Sequence, residues 1–79
     1  MNEEELIVLT FLRVSPETYY ARREIARRAV KRKVYDENPH WADAALVALL
    51  DKGLIEQDLT GLYRLKKEDI LGRDEEEGK

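Results

Sequence analysis

Cysteine is absent from this 79-residue chain, which excludes both a disulfide framework and a thiolate zinc site and leaves stability to an apolar core alone. Histidine is nearly absent too. His40 stands without the second His or the Cys that metal-ligand spacing or a nucleophile–base pair requires. No apolar run approaches the ~20 residues of a membrane span, and Met1-Asn2-Glu3-Glu4-Glu5 lacks the basic flank of a signal peptide, so the cytoplasm is the expected location. The glycines Gly53, Gly61, Gly72 and Gly78 are isolated, which leaves no glycine-rich phosphate loop. A chain this short has room for one small core and none for a large active-site cavity. Carboxylates are plentiful, but the runs at residues 3–5 and 74–77 stand in termini read as exposed, where nothing raises a pKa for general acid work. The expectation is a non-enzyme with no catalytic residues, no cofactor and no metal.

What the chain does have is charge, unevenly placed. The formal net charge is -3, yet residues 68–79 carry six acids against two bases and so account for -4, leaving +1 for residues 1–67. Within that body, residues 22–33 hold seven bases and one acid, net +6. A concentrated basic patch on a nearly neutral body is the electrostatic footprint of an anionic partner, and a neighbouring acidic segment is the other thing it can face.

Asn2 followed by three glutamates reads as an N-cap, with Glu5 as its capping-box partner, and starts a helix over residues 3–14 that Ser15-Pro16 stops. Its segment Leu6 to Leu12 is apolar on nearly every side; Ile7, Phe11 and Val14 are expected to share one face with Leu12 beside them, all as core. Thr18-Tyr19-Tyr20 is strand-prone, and Ser15-Pro16 also suits an early helix start. A second helix is expected over 22–35, with Ile25, Ala26, Ala29, Val30 and Val34 inward. Arg23, Arg27 and Lys31 then run along one outer line, and Arg28 and Arg32 along another. Asn38-Pro39 reads as N-cap and first turn of a third helix over 39–52, which Gly53 closes in left-handed conformation. Leu54-Ile55 and Leu62-Tyr63-Arg64-Leu65 read as strands over 54–58 and 62–66 joined at Thr60-Gly61. The domain is expected to occupy 1–71, with 72–79 a disordered acidic tail. The expected core is Ile7, Phe11, Ile25, Ala29, Leu46, Leu49, Leu54 and Tyr63.

Arg23-Glu24-Ile25-Ala26, then Ala45-Leu46-x-x-Leu49-x-x-x-Gly53-Leu54-Ile55, then Tyr63-Arg64-Leu65 resemble the winged-helix family of helix-turn-helix domains. The resemblance implies a mainly α, α+β fold of three helices and a C-terminal hairpin wing, with Thr18 to Tyr20 pairing with the wing. It also implies nucleic-acid binding and a role in transcription, the third helix entering the major groove. The outward positions of that helix, His40, Trp41, Ala44, Val47, Ala48, Asp51 and Lys52, offer almost none of the donors that read base edges, and Asp43 and Asp51 repel phosphate. The turn before this helix is longer than the usual helix-turn-helix turn, and the wing, residues 57–61, is short and acidic. The expected DNA contact is therefore weak, of low sequence specificity and phosphate-mediated, through Arg22, Arg23, Arg27, Arg28, Lys31, Arg32 and Lys33. The same patch also reads as a solubilising face. The alternative partner is a protein, or a second copy in a homodimer, packed on Trp41, Ala44, Val47 and Ala48; Trp41 also suits a cover over the end of the core.

Overall fold

A computed structural model describes residues 1–66. The expected tail at 72–79 and the end of the domain at 71 lie outside the described residues. Within them, four helices and one antiparallel hairpin form a small, mainly helical α+β domain. The first helix, α1, spans Glu3–Val14, and the Asn2 side chain caps it by accepting the Glu5 amide at 2.8 Å. Glu5 does not reach back as a capping-box partner. Glu5 is buried, only 6% exposed, and its carboxylate accepts from Lys52 Nζ at 2.6 Å, tying the start of α1 to the chain 47 residues on.

The buried face of α1 is Glu5, Val8, Leu9 and Leu12, an i, i+3, i+4, i+7 set. Leu12 is buried as expected, but the rest of the expected face is corrected, since Ile7 and Phe11 lie half-buried at its flank and Val14 is 80% exposed. A helix apolar all round carries no periodic signal. The inward face was set by what packs on it, namely the hairpin and the helix of residues 43–51.

The expected second helix is two. α2 spans Arg22–Arg28, Ala29 to Lys31 break the run, and α3 spans Arg32–Glu37 from an extended Lys31. In an uninterrupted helix the Ala26 carbonyl would accept from the Val30 amide. Here it accepts from Trp41 Nε1 at 2.8 Å, so a side chain fifteen residues away terminates α2. Two like-charge i, i+4 pairs of the continuous helix, Arg27 with Lys31 and Arg28 with Arg32, also lose their helical spacing at the break, and each would cost ~0.2–0.5 kcal/mol.

The expected third helix is shorter as well. α4 spans Asp43–Asp51, preceded by tight turns in which Trp41 N donates to Asn38 O and Asp43 N to His40 O. Asn38 caps the end of α3 instead of the start of α4, where Ala42 stands with no side-chain cap. The other end matches the sequence reading. Gly53 takes φ 74°, its amide donates to Leu50 O at 3.0 Å, and Leu54 N donates to Leu49 O at 3.1 Å, a Schellman closure.

That closure holds Leu54 outside the strand, so β1 is Ile55–Gln57 and pairs with β2, Tyr63–Leu65, in the register Ile55 to Leu65. Asp58 organises the connecting turn: Oδ1 accepts from Thr60 N, Thr60 Oγ1 and Leu62 N, and Gly61 takes φ 91°. Tyr20 pairs with Tyr63 through two backbone bonds of 2.8 and 2.7 Å, as the strand-prone Thr18 to Tyr20 stretch suggested.

The core lies between α1, α2, α4 and the hairpin. Of the expected members, Ile25, Leu46 and Leu49 are fully buried, whereas Ile7, Phe11, Ala29, Leu54 and Tyr63 are half-buried around it. Val8, Leu9, Leu12, Ala26, Ala42, Ala45, Ile55 and Leu65 complete it. No helix among the described residues is long and apolar enough to cross a membrane.

Candidate nucleic-acid interface

Seven cations were expected to act together, and α2, α3 and the break between them carry them in two classes. Four are engaged. Arg22 Nη1 meets Asp43 Oδ1 at 3.1 Å, Arg27 and Arg28 share Glu24 at 3.4 and 3.7 Å, and Arg32 Nε lies 3.6 Å from Asp36. Arg28 also covers the Phe11 and Tyr20 rings, its guanidinium 5.8 and 5.6 Å from their centroids, while those rings pack on each other at 4.9 Å. The remaining three, Arg23, Lys31 and Lys33, are exposed and form no ion pair among the described residues. The engaged pairs are solvated and each is worth at most ~1 kcal/mol, so they lower the patch's field without removing its cations.

Asp43 was expected to repel phosphate from the start of the third helix. Its carboxylate is committed instead, to Arg22 at 3.1 Å and to His40 Nδ1 at 3.2 Å. Nδ1–H donates to Asp43, so the approach of Arg22 Nη1 to the same nitrogen at 3.4 Å is a contact and not a second hydrogen bond. His40 is exposed as expected, but in the turn before α4 and not in its first turn. With Arg22, Arg23, Tyr35 and Pro39 it lines a cleft of about 140 Å³. The sequence reading missed Tyr35 and His40 as members of this group, because the break at 29–31 that brings α3 to the start of α2 has no signature in helical spacing.

On α4, Ala44 and Val47 face solvent and Val47 is 59% exposed, whereas Ala48 is half-buried. Trp41 does not join them on an outer face. Its ring packs half-buried against the core with the indole N–H on Ala26. α4 therefore presents small apolar groups between Asp43 and Asp51, with no Arg, Asn or Gln among them.

The acids of the hairpin are structural. The Thr60 hydroxyl, followed by the Leu62 amide, holds the Asp58 carboxyl below its ordinary pKa. Glu56 accepts from Arg64 Nε at 2.7 Å and raises the guanidinium's pKa, while Arg64 stacks 4.6 Å over the Tyr19 ring. Among the described residues no three acidic or histidine side chains converge as metal ligands.

These observations define a small helical domain with a basic face on α2 and α3 and a donor-poor α4. Comparison with models of protein families, with curated proteins and with solved structures finds no match for the chain.

Proposed function

We propose that this domain is a non-enzymatic winged helix that binds DNA weakly through phosphates, with little sequence preference. Supporting the fold reading, the helices are followed by a hairpin to which Tyr20 adds a bridge, and α4 runs into that hairpin through Gly53. On this reading α3 is an addition in the interval between the second and third helices of the family's plan. The observation that carries the function is the placement of Arg23, Lys31 and Lys33 on the α2–α3 face with no acidic partner among the described residues. Cations free of partners can displace counterions from a duplex, whereas Ala44, Val47 and Ala48 have nothing to read bases with.

Titrating duplexes of unrelated sequence at several salt concentrations tests this. Each duplex should bind with similar affinity. Lys31→Gln with Lys33→Gln should flatten the salt slope by ~0.9 per lost contact, up to ~1.8 for both. Absence of binding at low salt ends the proposal.

The exposure of Val47 beside Ala44 favours a second reading, in which another helix, from a partner or a second copy, packs on α4 over Ala44, Val47 and Ala48. Trp41 is not part of this surface. Sedimentation decides: self-association that Val47→Glu abolishes supports the interaction module, and a monomer that binds DNA supports the first reading.

A further inference from the structure

We infer that the cleft between α2, α3 and the turn before α4 seats one phosphate group. The proposal rests on the DNA-binding reading for where that phosphate comes from, but not for the chemistry of the seat.

The lining is almost wholly polar. Arg22 and Arg23 come from the first turn of α2, Tyr35 from α3, and Pro39 and His40 from the turn that follows. Its volume, about 140 Å³, is far above the ~15 Å³ that one water needs, which leaves space for a tetrahedral oxyanion. Asp43 orients two of these groups, holding the Arg22 guanidinium at 3.1 Å and the His40 Nδ1–H at 3.2 Å. That bond fixes the orientation of the imidazole ring beside the cleft. Arg23 is exposed and unpaired among the described residues. The Tyr35 ring packs against the core, which fixes where its hydroxyl can stand. Two arginines, a tyrosine and a histidine line one small polar space, and the arginines carry the fixed positive charge and forked N–H donors that a phosphate's oxygens accept from. Asp43 lowers the net positive charge of the seat but, being engaged by both neighbours, does not present a free carboxylate to it.

Amide-resolved NMR titrations of the full chain test this with two probes: inorganic phosphate against chloride at equal ionic strength, and a short duplex DNA at low salt. Arg23→Ala and Tyr35→Phe are the variants, since neither removes a side chain from the core. Phosphate should shift the amides of residues 22, 23, 35, 40 and 41 in the wild type and not in the variants, and each variant should bind DNA several-fold more weakly. If the wild type binds DNA and phosphate leaves the cleft unshifted, with both variants binding DNA as tightly as wild type, the seat is refuted while the DNA reading stands. If DNA does not bind but phosphate shifts the cleft in a manner lost in both variants, the seat stands for a free phosphate compound and the DNA reading falls. Should neither probe perturb the cleft, the inference is overturned together with the reading on which it leans.

Discussion

Replacing Trp41 with Phe isolates the bond that ends α2. The ring is kept in kind, while the indole N–H that donates to Ala26 O at 2.8 Å is lost. Ala26 is fully buried, so its carbonyl is left without that donor away from water, at a cost of ~1–3 kcal/mol. The smaller ring gives up further apolar contact, ~1 kcal/mol on the scale of a buried methylene. Together these make ~2–4 kcal/mol, out of the roughly 4–12 kcal/mol expected for a domain of this length. The variant has no tryptophan, so unfolding is followed in urea by far-UV circular dichroism, where the midpoint should fall by about 1–3 M. The Ala26 carbonyl has one alternative donor, the Val30 amide, which takes it if the helix heals across Ala29 to Lys31. Healing would show as new hydrogen-exchange protection at Val30. A loss below ~0.5 kcal/mol with Val30 still unprotected would refute the claim that this bond terminates the helix.

Leu46→Ala, at a fully buried position of α4, should cost ~2–5 kcal/mol and bring the domain close to unfolding at ambient temperature; a mild shift in melting temperature would show that the site is not central. Lys52 holds the Glu5 pKa below its ordinary 4.5, chiefly by hydrogen bonding, so the ionised pair contributes stability above that value and loses it as pH falls through the depressed pKa. Glu5→Gln should therefore be less stable than wild type at neutral pH, with the gap in urea midpoints narrowing well below pH 4.5; a gap independent of pH would contradict the linkage. Val47→Glu should leave the unfolding free energy within ~0.5 kcal/mol of wild type, because the side chain stands in solvent, and unfolding of this variant would mean that α4 buries the opposite face.

Much of the backbone plan was legible because its signals are local. Asn2 caps through the Glu5 amide three residues away, Gly53 closes a Schellman motif within its own turn, and Gly61 stands in a short connection whose Asp58 bonds its neighbours. What stayed hidden depends on residues far apart in sequence. The buried face of α1 follows from α4, the hairpin and Lys52, and an all-apolar segment cannot announce it. The break between α2 and α3 follows from an indole fifteen residues on, in a stretch whose Ala, Arg and Lys all favour continuous helix. The basic patch was visible as composition, and three of its ion pairs sit at legible i, i+3 or i, i+4 spacings, but Arg22 with Asp43 is a tertiary pair. Tyr35 and His40 joined the candidate site only because the break returns α3 toward the start of α2.

That dependence couples the fold to the proposed chemistry. Trp41 does not line the phosphate cleft, yet its bond to Ala26 keeps α2 and α3 apart as separate helices, and the cleft is enclosed between them and the turn at Pro39-His40. A healed helix over 22–35 would place Tyr35 thirteen residues along one axis from Arg22, ~20 Å at the helical rise, far outside a common small cavity. The Trp41→Phe variant should then lose the phosphate response of residues 22, 23 and 35 while keeping every donor of the cleft. The exposed charge of Lys31 and Lys33 remains in that variant, so its binding to duplex DNA should weaken by less than its response to inorganic phosphate. If Val30 gains protection and phosphate still shifts all three residues, the cleft cannot depend on the break, and the donors must act as a diffuse basic surface instead of a formed seat.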